Sequence, residues 1–260
     1  LTPSGLTLKN GSGTDVTGNY TITYATVTTG VITSYTVTVT AVTDTKIYNG
    51  TTASALLPTV GALAAGDLIN VAPKQVFDNA NVGNIHVLTP SGLTIKNGLG
   101  TGVTNNYTIS YVTVSTGVIT AYAVTVTALT DTKTYNGTTA STLVPTVGPL
   151  ASGDLVNVAP KQVYDNVNVG NTHILTPSGL TIKNGAGTDV NVNYTISYVN
   201  SPASGVITKV VMIVTALTDT KTYSGTTGSA VVPVITGTLA PTDVINTVPV
   251  QVFDNANVGI

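Results

Sequence analysis

The chain has 260 residues and a formal net charge of −2, and only 8% of its residues are charged. All nine cations are Lys and all eleven acids are Asp, and there is no Arg, Glu, Cys or Trp. These counts argue against a nucleic-acid partner, a disulfide scaffold, a thiolate zinc site and acid–base catalysis, and no apolar run reaches the about 18 residues of a membrane span.

The composition instead favours strands. Thr alone contributes 51 residues, and 42% of the chain is hydrophobic. Thr, Val, Ile and Tyr suit strands because branched and aromatic side chains pack well on a pleated surface. The apolar share is ample for a packed core, which argues against a disordered chain. We therefore predict an all-β protein that is not an enzyme.

A repeat of 87 residues organises the chain. The segment Leu1-Thr-Pro-Ser-Gly-Leu6 recurs at Leu88 and again at Leu175. This period is too long for one coil of a β-solenoid and suits a small sandwich domain. The predicted boundaries are 1–33 for the C-terminal part of a module, 34–120 and 121–208 for two complete modules, and 209–260 for the N-terminal part of another.

Strict alternation of apolar and polar residues marks the strands of each copy. In chain order, residues 6–8, 20–24 and 35–41 alternate in this way, and each pattern recurs 87 residues later. Alternation implies one buried and one wet face, which is typical of antiparallel sheets. We predict tandem antiparallel β-sandwich modules of immunoglobulin-like type. A β-grasp-like module is the alternative, although no helical periodicity of useful length is present.

Asn-Gly pairs lie near the ends of these predicted strands. Asn-Gly suits the positive φ of tight hairpin turns, so we expect hairpins at these pairs. The five pairs begin at Asn10, Asn49, Asn97, Asn136 and Asn184.

The third copy departs from the pattern at residues 210–215, where both faces of the predicted strand are apolar. Its outer face carries Val211 and Ile213, whereas the second copy has Ala123 and Thr125 there. One interpretation is sequence drift or a loop that folds over the strand. The other is a packing contact with another module or chain, because apolar outer faces often mark interfaces.

Several motifs recur in a fixed order and together resemble a known family. Each module opens with Asp-Thr-Lys-x-Tyr-Asn-Gly (from Asp44), continues with Gly66-Asp67 and Asn81-Val-Gly83, and closes with Asn-Tyr-Thr-Ile (from Asn106). This order resembles the YDG and MBG-type repeats of large bacterial surface proteins, including filamentous-haemagglutinin-like adhesins. The resemblance implies an extracellular or cell-surface stalk or adhesin array, and it does not imply an enzyme. The departure is Asn49, Asn136 or Ser224 where the family name has Asp.

Calcium is the metal candidate that the sequence offers. One Asp stands beside Asn residues near a Gly turn in each copy, and these oxygens are ligands of the kind calcium prefers. One carboxylate in each cluster is few for calcium, and Asx side chains that cap their own turns are the other interpretation. The three candidates are Asp78, Asp165 and Asp254.

Three lysines and two histidines are further candidates for a chemical role. Lys46, Lys133 and Lys221 each follow an Asp by two residues, which fits an ion pair across one strand face or an internal Lys–Asn crosslink. His86 and His173 occupy equivalent positions, and we expect them to be surface residues of a strand rather than parts of a Ser–His–Asp site.

We predict a structural function, as a repeat segment of a bacterial extracellular filament or adhesin stalk. Residues 209–260 and 1–33 together span about one period, so a second copy or continuing sequence is expected to complete each partial module by strand addition. The expected assembly interface includes Leu1, Val211, Ile213 and Ile260. The alternative is a glycan- or protein-binding module with a host or neighbouring-cell surface ligand. Neither function requires a cofactor.

Overall fold

The computed structural model describes residues 1–259, which fold into strands and turns with three short 3-10 helices. The prediction of an all-β chain is confirmed, since the described residues contain no α-helix. No helix of the described chain is long and apolar enough to cross a membrane. The 3-10 helices are Thr17–Asn19, Thr104–Asn106 and Asn191–Asn193.

The strands follow the repeat. Those of the first repeat are β1 Tyr35–Thr40, β2 Thr45–Ile47, β3 Thr59–Val60, β4 Asp67–Val71, β5 Lys74–Phe77, β6 Gly83–Ser91, β7 Thr94–Asn97, β8 Tyr107–Val112 and β9 Val114–Thr120. Those of the second are β10 Tyr122–Thr127, β11 Thr132–Thr134, β12 Thr146–Val147, β13 Asp154–Val158, β14 Lys161–Tyr164, β15 Gly170–His173, β16 Leu175–Ser178, β17 Thr181–Asn184, β18 Tyr194–Val199 and β19 Gly205–Thr208. The third copy has β20 Ile213–Thr215 and β21 Val234–Thr236.

The chain forms two compact units whose limits differ from those of the sequence repeat. Unit 1 comprises Leu1–Asp44, Ala53–Phe77 and Val87–Ser115. Unit 2 comprises Thr45–Thr52, Asp78–His86 and Thr116–Ile260. Two pieces of the first repeat, 45–52 and 78–86, therefore belong to the same unit as the whole second repeat.

The second repeat, which lies entirely in unit 2, shows the complete pattern of pairing. β10 lies between β12 and β18, and β19 lies between β11 and β15. Two antiparallel pairs, β13 with β17 and β14 with β16, complete the repeat. In unit 1 the same pattern pairs β1 with β3 and β8, and β4 with β7.

Two pairings in each repeat are parallel, which corrects the prediction of wholly antiparallel sheets. β10 runs parallel to β18, and β11 runs parallel to β19. The alternation of residues establishes which face of a strand is buried but carries no information about the direction of its partner. The chain is thus all-β with several small mixed sheets, and the immunoglobulin-like and β-grasp-like arrangements stay predictions.

The cores of the units are small and follow the predicted inward faces. In unit 1, Val37 and Val39 of β1 pack with Leu93, Ile95 and Tyr107. In unit 2, a second cluster joins Ala128, Tyr164, Leu175 and Ile207. The predicted inward positions Val37 and Val39 of β1 and Val124 and Val126 of β10 are buried, whereas Tyr35 is exposed and Tyr122 is half-buried.

The Asn-Gly turns differ from expectation. Among the described residues only glycines have positive φ, so Asn does not take the left-handed conformation that a two-residue type I′ turn requires. In the turn that begins at Asn97, the side-chain oxygen accepts the backbone N–H groups of Leu99 and Thr101, and Gly100 has φ 86°. Asn acts here as an Asx cap, and the left-handed residue comes later.

Candidate functional site: the junction between consecutive repeats

A tyrosine from the first repeat is buried in the second. Tyr48 stands in the Tyr48-Asn49-Gly50 turn after β2 and is only 3% exposed. Its backbone N–H donates to the carbonyl of Thr120 at 2.8 Å, which continues the pairing of β2 with β9. Its hydroxyl donates to Oδ2 of Asp154 at 3.0 Å. The turn therefore acts as a plug, a name that we use for Tyr48 and its equivalents Tyr135 and Tyr223.

The plug enters a polar socket, which we define as Ala151, Asp154, Asn193 and Tyr194. The Tyr194 hydroxyl donates to the same Oδ2 of Asp154 at 2.7 Å and accepts the N–H of Ala151 at 3.0 Å. The rings of Tyr48 and Tyr194 meet edge to face, with centroids 5.6 Å apart. Such ring pairs stabilise a contact beyond the area they bury.

Burial and the shared carboxylate determine the ionisation of both phenols. Burial, followed by the hydrogen bond to Asp154, raises the pKa of Tyr48 and of Tyr194 above the ordinary value. Both hydroxyls therefore stay protonated and act as donors to a carboxylate, an arrangement that is stronger than a neutral hydrogen bond.

A second contact joins the same two repeats. Asn193 is completely buried, and its side chain donates to Oδ1 of Asn81 at 3.1 Å. It also accepts the backbone N–H of Val82 at 2.9 Å. Gly50 has φ 75°, and a Cβ there would lie 3.1 Å from the carbonyl oxygen of Ser152. The turn thus needs glycine both for its conformation and for its close approach to the second repeat.

The junction recurs between the second and third copies in a looser form. The Tyr135 hydroxyl donates to Oδ1 of Asp243 at 3.3 Å, and a Cβ on Gly137 would lie 3.2 Å from Cβ of Ala240. A cavity of about 290 Å³ opens beside this contact, lined in part by Tyr135, Met212 and Asp243. No second tyrosine is bonded to Asp243 among residues 1–259, so the carboxylate lacks the partner that Tyr194 provides for Asp154.

The lysine of the opening motif supports the plug. Nζ of Lys133 donates to Oδ1 of Asn136 at 3.1 Å and to the carbonyl of Ala140 at 3.0 Å, and it lies 4.9 Å from the centre of the Tyr164 ring. The same donation from Lys46 to Asn49 holds the first turn. The lysine therefore binds the turn, and neither an ion pair to the preceding Asp nor a crosslink is needed to explain its place. Burial lowers the pKa of Lys133.

A glutamine contact that recurs in all three copies, and is buried in the first two, was not predicted from the sequence. The side chain of Gln75 accepts the N–H of Val42 at 2.9 Å and donates to its carbonyl at 2.8 Å and to Oγ of Ser54 at 3.1 Å. Oγ of Ser54 in turn donates to the buried Asp44 at 2.6 Å. Gln162 and Gln251 make the same bonds. The recurrence of Gln at the same place in each period was the available signal.

The calcium candidates have other partners in the structure. Nδ1 of His86 donates to Asp78 at 2.7 Å, and Nδ1 of His173 donates to Asp165 at 2.6 Å. Asp254 accepts the N–H of Asn255 at 2.9 Å. No three His, Cys, Asp or Glu side chains gather into a metal-binding group within the described residues.

The neighbouring asparagines form the Asx turns that were the other interpretation. The side-chain oxygen of Asn79 accepts the N–H of Asn81 at 2.9 Å, and Asn166 does the same for Asn168. Hydrogen bonds from the histidines lower the pKa of Asp78 and of Asp165. Each carboxylate therefore stays ionised as the acceptor of its histidine.

Both histidines are buried, so the prediction that they lie on the surface is wrong. His173 is 5% exposed, and its ring packs edge to face on Tyr164. A Cβ on Gly170 would lie 2.8 Å from Nε2 of His173, so this glycine makes room for the ring. The His–Asp pair holds the loop between β14 and β15, the second-repeat counterpart of the loop that supplies Asn81 and Val82 to the junction.

Comparison with known proteins identifies the repeat. Residues 33–115 and residues 120–202 each match the sequence profile of the YDG domain. The chain belongs to the YDG domain family. No curated protein and no solved structure matches it.

The residues that were predicted to form an assembly interface are exposed in this YDG chain where the structure describes them. Val211 is 74% exposed and Ile213 is 56% exposed, so no loop covers this strand within residues 1–259. Leu1 is exposed, and its amino group donates to the carbonyl of Val27 at 2.7 Å. Ile260 lies outside the described residues. The contact of these residues with another chain stays a prediction.

Proposed function

We propose that this chain is a structural segment of a bacterial extracellular filament or adhesin stalk, in which YDG domains follow one another in a load-bearing array. The observation that carries the proposal is the recurrent junction. Tyr48 and Tyr135 each reach an Asp of the following copy, so the same contact is made twice along one chain. A joint that repeats with the sequence allows length to grow by the addition of copies.

Strand completion supports the same function. In the second repeat, β19 fills the gap between β11 and β15 and places Ile207 in the core. In the third copy, a cavity of about 640 Å³ lies between residues 218–221 and 253–259, at the position that corresponds to this gap. Gly30-Val31-Ile32-Thr33 has the β19 sequence, pairs with no strand of residues 1–259 and leaves Ile32 fully exposed. Residues 30–33 of a second copy are therefore the proposed occupant.

Electron microscopy of the purified chain at increasing concentration tests this assembly. We expect head-to-tail filaments for the wild type and none for Ile32→Lys, because the lysine would enter the core in place of isoleucine. Thr33→Lys is the matched control, since its equivalent Thr208 is exposed in β19. Filaments that form equally well with Ile32→Lys would exclude strand completion.

The extracellular location is tested separately on intact source cells. An antibody raised against the chain should label cells that have not been permeabilised. Labelling only after permeabilisation would contradict a surface stalk.

A further inference from the structure

The socket is already formed in the first repeat, although no plug occupies it among the described residues. The Tyr107 hydroxyl donates to Asp67 at 2.7 Å and accepts the N–H of Ala64 at 3.0 Å. These are the same bonds, at the same distances, that Tyr194 makes with Asp154 and Ala151. The geometry therefore does not depend on the plug, which means that the first socket is preorganised for one.

Exposure distinguishes the occupied socket from the open one. Ala151, Asp154 and Asn193 are buried in the second repeat, where Tyr48 and the Asn81–Val82 loop cover them. Their equivalents Ala64 and Asp67 are half-buried, and Asn106 is exposed. The sequence of these four socket positions is the same in both repeats, so the difference comes from what covers them.

The third copy presents an unoccupied plug. Tyr223 is 67% exposed, whereas its equivalent Tyr48 is 3% exposed. The turn is nevertheless formed, since Gly225 has φ 72° and Nζ of Lys221 donates to the carbonyl of Thr226 at 2.6 Å. The loop that provides the second contact is also present and exposed, at Asn257 and Val258.

We propose that the first-repeat socket formed by Ala64, Asp67, Asn106 and Tyr107 is a docking site for the Tyr223 plug of a second copy of this chain. The occupant is identified by continuity with the two junctions inside the chain, which join the same residue types. In the bound state the Tyr223 hydroxyl donates to Asp67, and Asn106 bonds the Asn257–Val258 loop, as Asn193 bonds Asn81 and Val82. This proposal rests on the head-to-tail association proposed above and adds the first-repeat socket to it, because Tyr223, Asn257 and Val258 also line the cavity that residues 30–33 would fill.

A mixing experiment with two complementary variants of the full chain tests the plug and socket. Tyr223→Ala removes the plug, and Asn106→Lys blocks the socket at a side chain that is exposed in the free repeat. Each variant alone should associate about tenfold or more weakly than the wild type, because a tyrosine at the centre of an interface is a common energetic anchor. At a concentration at which each variant alone is monomeric, an equimolar mixture should form 1:1 pairs, since it contains one intact plug and one intact socket. Sedimentation velocity measures both results.

A charge control and a folding control accompany the mixture. Asn105→Lys adds the same charge one position away, where the equivalent Val192 stays 81% exposed beside the occupied socket. It should associate like the wild type. Thermal unfolding of Tyr223→Ala should match that of the wild type, because the side chain is largely solvated in the free chain.

The outcomes separate this proposal from strand completion. Recovery of 1:1 pairs in the mixture supports the plug and socket. The proposal is overturned if the mixture associates no more than either variant alone. It is also overturned if the Tyr223→Ala chain assembles like the wild type. Strand completion would still stand if Ile32→Lys abolished filaments in that case. A wild-type chain that stays monomeric would overturn both.

Discussion

One glutamine in each copy makes the hydrogen bonds that a neighbouring strand would otherwise make, and it is buried in the first two copies. Gln75 satisfies both the N–H and the carbonyl of Val42, which is the pattern of bonds that a β-ladder would supply. The glutamine is 2% exposed and Val42 is half-buried, so water has limited access to these bonds. In the first two copies the glutamine therefore prevents the cost of a backbone group that is shielded from water and has no partner.

Replacement of this glutamine by alanine should therefore destabilise the first repeat. Gln75→Ala leaves two backbone groups of Val42 without partners, which costs about 2 to 4 kcal/mol in the free energy of unfolding. Amide exchange at Val42 and urea unfolding measure the loss. Gln251→Ala is the matched control, because its equivalent bonds to Leu217 are exposed to water. A loss of equal size at both sites would contradict this explanation.

The His–Asp pair makes stability depend on pH in acid. The hydrogen bond from His173 lowers the pKa of Asp165, so the folded state favours the ionised carboxylate. This stabilisation is fully present above the unfolded pKa of about 4 and is lost as pH falls through the lower folded value. Asp165→Asn should be less stable than the wild type at pH 7, and the difference should shrink in more acidic solution. Urea unfolding across pH 2 to 7 measures it, and a difference independent of pH would contradict the pairing.

Some of these residue roles could be predicted from the sequence, and others could not. The inward positions Val124 and Val126 followed from alternation, because burial on one face requires a period of two. The burial of His86 and His173 did not, since a histidine in a strand pattern gives no sign of a carboxylate eight residues earlier that holds its ring. The role of the plug tyrosine Tyr48 could not be predicted either. It looks like an ordinary strand residue in the sequence, and its partner Asp154 is 106 residues away.

Elements with nearly the same sequence take different states according to their partners. Tyr194–Val199 is a strand paired with β10, and Tyr107–Val112 is a strand paired with β1. Residues 20–25 repeat the pattern of these strands, yet they form no strand in the described chain. No strand of residues 1–259 pairs with them. Strand formation here is decided by tertiary pairing and not by propensity.

Hydrogen exchange should display this difference directly. Amides of residues 195–199 should exchange slowly in dilute solution, and amides of residues 21–25 should exchange rapidly, because only the former are paired. Mass spectrometry of peptic fragments measures both segments in one sample. Equal protection of both segments in the monomer would show that residues 20–25 have a partner in the same chain.

The order of the strands was less predictable than their positions. The Tyr35–Thr40 and Tyr122–Thr127 strands followed from the sequence pattern, whereas their parallel pairing to strands about 70 residues later did not. A parallel pair needs a long connection, and nothing local in β10 indicates which distant strand completes it. The short strands β2 and β11 were also hard to foresee, since three residues are too few to show a period.

At the scale of the whole molecule, the low charge bears on association. The chain has a net charge of −2 with 8% charged residues, so copies repel one another weakly. The proposed contacts between copies are the added strand Gly30-Val31-Ile32-Thr33, which carries no charge, and a tyrosine hydroxyl on one carboxylate, so neither contact pairs opposite charges across the interface. Screening by salt should therefore weaken the association between copies only slightly.

Self-association should accordingly be almost independent of ionic strength. Between about 0.02 and 0.5 M salt, over which the screening length falls from about 20 Å to a few ångströms, we expect the dissociation constant to change less than about threefold. Sedimentation velocity at matched protein concentration measures it, with Asn105→Lys as a variant whose added charge should matter little. A chain that dissociates tenfold or more on addition of salt would show that charge pairs, and not the strand and tyrosine contacts, hold the copies together.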